Sequence, residues 1–306
     1  MKIVIPGGTG QVGGVLRRAL TEAGHEVVIV SRSSGVRWDG RTLGDWAAEI
    51  DGADVVINLA GRSVSCRYTR ENLNEMMRSR VCSARVVGEA IRKAEKPPAV
   101  WLQMSTATIY AHRFDAPNDE ATGIIGGNEP GVPDYWGFSV GIAKNWEAEL
   151  GGADTPHTRK VALRAAMVMS PDRGGVFDYL SWMARLGLGG AVAGGRQYVS
   201  WIHDEDFVRA VALLIREPIE GAVNLAAPEP LPQRDFMREL RKAWQMPVAL
   251  PATRWMAEIG AAVLRTDTEL LLKSRRVVPG RLQEAGFEFR FPNWAAAAQN
   301  LVERRR

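Results

Sequence analysis

The stretch GGTGQVGG, residues 7–14, decides how the rest of this chain is read, because of what stands on either side of it. Before it, residues 2–6 (KIVIP) form a short apolar run of the kind that becomes a buried strand. After it, Val12, Val15, Leu16 and Leu20 recur at three-and-four spacing, which predicts a helix over 12–23, and residues 26–30 (EVVIV) predict a second strand. Strand, glycine turn, helix and strand within about thirty residues open a doubly wound parallel sheet, an α/β fold of the Rossmann kind. Each glycine then has a task. Gly7 permits the tight turn, Gly10 lets the backbone approach a pyrophosphate, and Gly13 lets helix and strand pack closely. The N–H groups at the helix start offer partial positive charge to the phosphates. Gly8, Thr9, Gln11 and Val12 complete the cradle. Glycine turns without ligands are common, so the flanking elements carry the reading.

The end of the second strand selects the dinucleotide. An NAD site usually carries Asp or Glu there, to accept hydrogen bonds from the ribose hydroxyls. Here the residues are Ser31, Arg32 and Ser33. A guanidinium keeps its charge and presents a fixed fork of donors, which suits a 2′-phosphate; the alternative is a surface arginine that merely follows a strand. The expected cofactor is NADP(H).

At 306 residues the chain can bury a full core in one large α/β domain or two smaller ones. With 24% charged and 46% hydrophobic residues it is neither disordered nor fibrous. The net charge of +4 is scattered; the one dense basic run, residues 304–306, reads as a solvated tail, and nucleic acid is not an expected partner. Cys66 and Cys82 provide neither a disulfide framework nor a metal-ligand spacing, which fits a reducing cytoplasm. With the first strand starting at Lys2 there is no room for a signal peptide, and no apolar run reaches the ~20 residues of a membrane span. A cytoplasmic protein with a small-molecule substrate and no metal is expected.

Further along, residues 53–60 (ADVVINLA), 100–105 and 160–165 predict strands, and 138–150 predicts a helix. Residues 69–93 predict a long helix whose stripe of Leu73, Met76, Met77, Val81, Ala84, Val87 and Ile91 is core packing. Residues 198–202 and 222–225 read as extended and flank a helix over 204–216. After 227 prolines cluster, and short helices follow without regular strands. The expected organisation is an NADP(H)-binding domain over 1–226, with 166–197 contributing to the substrate cleft, and a small helical substrate-side lobe over 227–306.

With these residues in place the chain resembles the extended short-chain dehydrogenase/reductase superfamily. Four segments, INLAG (57–61), RYTRENLNEMMRSRV (67–81), SWIHDEDF (200–207) and VVPGRLQEAGFEFRFP (277–292), resemble its atypical branch, the epimerase family, which carries its own small C-terminal domain. The resemblance covers nearly the whole length. It implies a Rossmann domain holding NADP(H) and a helical lobe closing over a cleft. By position it places Leu59, Ala60 and Gly61 beside the adenosine half of the cofactor, at a strand end where ligands bind. It assigns cofactor contacts to Glu75 and Arg80, which otherwise read as a solvated helix face, and puts Val168 near the nicotinamide.

In the superfamily a Ser or Thr after the fifth strand and a Tyr-x-x-x-Lys pair move a proton while hydride passes to or from nicotinamide; the lysine lowers the tyrosine pKa and the hydroxyl orients the substrate oxygen. Thr106, with Ser105 close behind, fills the hydroxyl position, and Tyr110 follows on the same loop; a Ser-Thr pair at a strand end also fits a plain turn. The dyad is missing. Four residues beyond Tyr68, Tyr110, Tyr135, Tyr179 and Tyr198 stand Asn72, Phe114, Ser139, Met183 and Ile202. In GFSVGIAKNWEAEL (137–150) the tyrosine position falls near Ser139 and the lysine position near Ala143; Tyr135 and Lys144 lie nearby without a sequence-level warrant.

Two functions of different class stay open. One is an NADP(H)-dependent oxidoreductase or epimerase-like enzyme acting on a small hydroxy or keto compound, with Thr106 or Ser105 polarising the substrate oxygen. The other is a non-catalytic NADP(H)-binding sensor or structural protein, which the missing dyad permits. True nucleotide-sugar epimerisation leans on the absent tyrosine. His203, beside Asp204, Glu205 and Asp206, invites a metal reading, but consecutive acids point around a helix start and Asp204 is a natural N-cap. A structural or substrate-side His203 is expected, with Cys66 an inert thiol and the tryptophans mostly core or cleft wall. A homodimer fits the prevalence of two-fold assemblies.

Overall fold

A parallel sheet covered on both faces needs strands that are apolar on both sides, and KIVIP and VVIN supply them. In a computed structural model that describes residues 1–253, 255, 256, 258 and 267–306, seven strands form the expected doubly wound sheet. They are β1 (Lys2–Pro6), β2 (Glu26–Ser31), β3 (Val36–Arg37), β4 (Val55–Asn58), β5 (Val100–Thr106), β6 (Arg159–Ala165) and β10 (Gly221–Leu225), all parallel, in the order β10-β6-β5-β4-β1-β2-β3. The order runs outward from β1 in both directions. The carboxyl ends of β1 and β4 therefore flank the switch point at which such sheets bind ligands.

Alternate side chains go to opposite faces. Ile3, Ile5, Ile57, Leu102 and Leu163 pack on α1 (Gln11–Glu22) and α5 (Asp204–Arg216). Val4, Val56, Trp101 and Ala162 pack on α2 (Arg70–Lys93) and α3 (Asp134–Gly152). Thr69 caps α2 by accepting from the Asn72 N–H, worth about 1 kcal/mol. The helix expected over 138–150 starts earlier than its apolar pattern, at Asp134, because Pro133 and an acid in the first turn supply a start signal.

Beyond β6 the chain builds a second body beside the sheet. β7 (Met167–Met169) pairs with β9 (Trp201–His203), and β8 (Tyr198–Val199) pairs antiparallel with β11 (Leu231–Pro232), a short strand in a region expected to hold only helices. α4 (Val176–Arg185), α6 (Gln233–Ala243) and α9 (Trp294–Arg305) share a core in which Phe236 stacks on Trp294 at 4.0 Å. Between them lie α7 (Glu269–Leu272) and α8 (Gly280–Glu284). α8 packs on β10, so Leu282 and Phe287 belong to the core of the sheet. Residues 254, 257 and 259–266 of the expected lobe lie outside the described residues.

Arg304 and Arg305 do not belong to the solvated tail that the sequence suggested for 304–306; Arg306 is exposed. Arg304 makes a two-pronged contact with Asp204 at 2.8 and 2.9 Å, and Arg305 binds the Asp178 carboxylate and the Pro171 carbonyl. Basic side chains at the end of α9 thus meet acids at the starts of α5 and α4, where helix dipoles favour negative charge. No described helix is long and apolar enough to cross a membrane.

Candidate active site

The glycine turn has the form its spacing predicted. Gly7 has φ +75°, and a Cβ there would stand 2.5 Å from the Ala60 Cα, so the turn after β1 and the loop after β4 touch backbone to backbone. A Cβ on Gly13 would stand 2.3 Å from the Gly8 carbonyl oxygen, which fixes α1 against the turn. Gly10, the N-cap of α1, has nothing within 4 Å of its Cβ position, and no side chain caps the helix. Its first turn carries no acid that would repel an anion. Thr9 and Gly10 are exposed, Gly8 is packed on Ile5 and Ile29, and Val12 packs against the core of the sheet. Gln11 lies against Gly175, with its buried Nε2 lacking a hydrogen-bond partner among the described residues. An open glycine, an uncapped helix start and an orphaned amide donor together suit the pyrophosphate of a dinucleotide.

At the end of β2 the three residues divide their labour. Ser31 is buried and its hydroxyl closes the turn, donating to the Ser34 carbonyl at 2.5 Å and accepting from the Ser33 and Ser34 N–H groups. Arg32 and Ser33 project into solvent beside it. Leu59 and Ala60 are half-buried at the end of β4, where Asn58 Oδ1 accepts the Ala60 N–H and Asn58 donates to Gln103 on β5. Arg80 lies over Gly61, with its guanidinium donating to the Met76 carbonyl and resting on Trp146 at 5.1 Å; burial brings its pKa down to about 10. Glu75 is held by Arg41 and Arg78 and lines an open pocket of about 450 Å³ with Arg62 and Asn72. Val168 is buried in β7.

The three hydroxyls expected to do chemistry are not equivalent. Tyr110, 2% exposed, donates to Asn224 Oδ1 at 2.9 Å and accepts from Arg164 Nη1 at 2.9 Å. Arg164 also forks onto Glu147 (2.9 and 2.8 Å), and Ser105, likewise buried, donates to Glu147 Oε1 at 2.6 Å. Burial pulls Arg164 down, but the hydrogen bonds and charge of Glu147 win and its pKa rises. This network joins β5, β6, β10 and α3 and engages both Tyr110 and Ser105, two of the three hydroxyls expected at the site, in the core. Thr106 is half-exposed, and its Oγ1 accepts the Thr108 N–H at 3.1 Å in the helical turn Ala107–Ile109.

His203 is fully buried, stacked on Phe291 at 3.9 Å, with Nδ1 accepting the Glu205 N–H and Nε2 beside Asn300. It occupies the N-cap position expected for Asp204; Asp204 is the first residue of α5 and is held by Arg304. Among the described residues no three His, Cys, Asp or Glu side chains are placed to hold a metal ion.

One cluster was not expected at all. Ser139, at the vacated tyrosine position of α3, donates to Glu269 Oε2 at 2.6 Å, while Lys273 Nζ donates to the Thr108 carbonyl at 2.9 Å and Arg275 Nε to Thr108 Oγ1 at 3.1 Å. Nearby, Tyr135 Oη and Thr268 Oγ1 are 3.2 Å apart. No motif in the sequence marks KSRR (273–276).

Residues 3–130 match the NAD dependent epimerase/dehydratase family, and residues 254–301 match a domain of unknown function, DUF1731. Over 312 aligned residues the chain is 31% identical to the epimerase family protein SDR39U1 of Bos taurus, spanning 99% of this chain and 100% of that one. The chain belongs to the epimerase family. Another epimerase family protein, SERP0438 of Staphylococcus epidermidis, is 28% identical over 99% of each chain. Among solved structures, the human epimerase family protein SDR39U1 crystallised with NADPH is similar at a TM-score of 0.86 and 28% identity, with 99% of each chain covered. On α3 of this epimerase family member, Ser139 and Ala143 stand near where a Tyr-x-x-x-Lys enzyme carries its dyad.

Proposed function

We propose that the protein is an NADP(H)-dependent oxidoreductase of the extended short-chain dehydrogenase/reductase type, acting on a small hydroxy or keto compound. The observation that carries this reading is the cradle: an open Gly10 at an uncapped helix start, clamped between Gly7 against Ala60 and Gly13 against Gly8. That the human relative was crystallised with NADPH supports it. Gly7 to Gly13 hold the pyrophosphate, Arg32 and Ser33 meet the 2′-phosphate, and Leu59, Ala60 and Gly61 flank the adenosine. Thr106, whose hydroxyl proton is free to turn toward a ligand, polarises the substrate oxygen. Residues 1–226 hold the cofactor, and 166–197 with 227–306 form the substrate side. Bound there, the nicotinamide supplies or accepts hydride.

A second reading, a sensor that binds NADP(H) without turnover, is favoured by the engagement of Ser105 and Tyr110 in the core. Fluorescence titration and absorbance assays separate the two. NADPH is expected to bind more tightly than NADH, and Arg32→Ala to lose most of that preference, about tenfold or 1.4 kcal/mol. Equal affinity of the wild type for both nucleotides would remove the cofactor assignment. NADPH oxidation with a panel of carbonyl compounds, abolished by Thr106→Val, marks the enzyme; tight binding with no oxidation across the panel marks the sensor.

A further inference from the structure

Ala143 packs with Ala107, Ile109 and Tyr110, so this face of α3 lies on the turn that follows β5. Ser139, one helical turn before Ala143, shares that face and is half-buried. Its partner Glu269 arrives from α7 and is 1% exposed. A carboxylate taken out of water is costly unless its oxygens are met. Oε2 is met by Ser139, but Oε1 has no hydrogen-bond partner among the described residues, and the Lys273 ammonium stands 3.8 Å away. Lys273 spends a hydrogen bond on the Thr108 carbonyl, and Arg275 is taken up by Thr108 Oγ1 and by the carbonyls of Glu269, Leu270 and Lys273. Both cations bind the turn, and Lys273 also pairs with the Oε1 charge, at 3.8 Å, beyond hydrogen-bond reach.

Burial therefore governs Glu269. It raises the carboxyl, Asp267 raises it further, and the charges of Arg275 and Lys273 with the Ser139 bond oppose without cancelling. Burial likewise brings Lys273 down to about 8. Tyr68, on the loop before α2, also faces Glu269, and Glu129 and His112 act one step out, on Lys273. Because Thr108 donates its N–H to Thr106 Oγ1, the hydroxyl assigned to the substrate oxygen and the two cations beside this carboxyl are tied to one three-residue turn.

We propose that Ser139 and Glu269 are the proton-delivering pair of this site, Ser139 touching the substrate and Glu269 refilling it across their hydrogen bond. The proposal rests on the cofactor reading above. When hydride from a bound reduced nicotinamide forms the new C–H bond, the C=O π pair moves to oxygen, which takes the Ser139 Oγ proton. In this direction the proton of a protonated Glu269 Oε2 moves to Ser139 Oγ as the Ser139 proton leaves, the reverse of the Ser139-to-Oε2 donation in the structure, which is the arrangement for alcohol oxidation. The products are an alcohol, oxidised nicotinamide and a Glu269 carboxylate that solvent reprotonates; alcohol oxidation runs the same steps in reverse. An exposed glutamate would be ionised at neutral pH and unable to give a proton.

Infrared difference spectra of the nucleotide-free protein at neutral pH test the pair directly. Wild type minus Glu269→Gln is expected to show a carboxylic-acid C=O band, and Ser139→Ala is expected to shift it. No such band, or a band that Ser139→Ala does not move, overturns the proposal. Should Glu269→Gln fail to fold, wild type minus Ser139→Ala still gives a shifted band or overturns it. On a carbonyl compound that is turned over, Ser139→Ala lowers kcat about a hundredfold with KM retained, and an unchanged kcat also overturns it. A parallel NADPH titration of the wild type keeps the readings apart: no binding defeats the cofactor assignment while the infrared result stands by itself.

Discussion

Gly10 and Gly13 respond differently to one added methyl group. On Gly13 the new carbon meets a backbone oxygen at 2.3 Å, so Gly13→Ala must push α1 away from β1 and is expected to lose about 1–3 kcal/mol. On Gly10 it meets nothing, and φ is an ordinary −75°, so Gly10→Ala should change stability by roughly 1 kcal/mol or less while weakening NADPH about tenfold or more. Urea unfolding and nucleotide titration measure the two effects; a Gly10→Ala protein that binds NADPH like the wild type would take Gly10 out of the cradle. The turn at Gly7 and the packing contact at Gly13 were legible because both are local needs written in local spacing. The engagement of Tyr110 in the core was not legible, for the opposite reason. A hydroxyl near a strand end looks available until Arg164 from β6 and Asn224 from β10 arrive, 54 and 114 residues away in the chain. Ser139 was missed similarly: Glu269 is 130 residues distant, and nothing in the composition of KSRR says that its lysine is buried.

At the scale of elements, periodicity placed six of the seven strands of the sheet, because two-sided burial leaves continuous apolar runs, and missed the two-residue edge strand β3. The start of α5 shows where pattern reading stops. Asp204 looked like the cap, yet His203 takes that place because its ring is enclosed by Phe291 and Asn300 and its Nδ1 faces the Glu205 N–H. Burial holds the imidazole pKa below its ordinary 6.5, and the charge of Asp204 only partly offsets it. The unfolded chain therefore takes the proton first, and stability falls as pH drops through about 6.5 toward the lower folded value, by up to about 1.4 kcal/mol per pH unit for a full proton. His112, lowered by burial too, acts in the same direction. His203→Asn keeps a cap acceptor and removes one titrating group, so its urea midpoint is expected to fall less steeply between pH 7 and 5 than that of the wild type; an identical slope would clear His203 of the effect.

Across the whole molecule, the polypeptide after 227 does not stand apart. α8 sits on β10, Leu282 and Phe287 fill the core of the sheet, and Asp206 on α5 accepts the N–H groups of Arg290 and Phe291 at 2.8 and 2.9 Å. A segment shared by both bodies makes their unfolding one event. Leu282→Ala should cost about 2–5 kcal/mol and lower a single calorimetric transition, whereas a second transition appearing in the variant would show that the bodies melt separately. The contact between Gly7 and Ala60 also has a meaning for inheritance. Every missense change at position 7 adds a Cβ where two main chains already touch, so each such allele is expected to reveal itself as missing protein, cleared before it can act. Alleles at position 10 would leave the protein at normal abundance and the cell without its function.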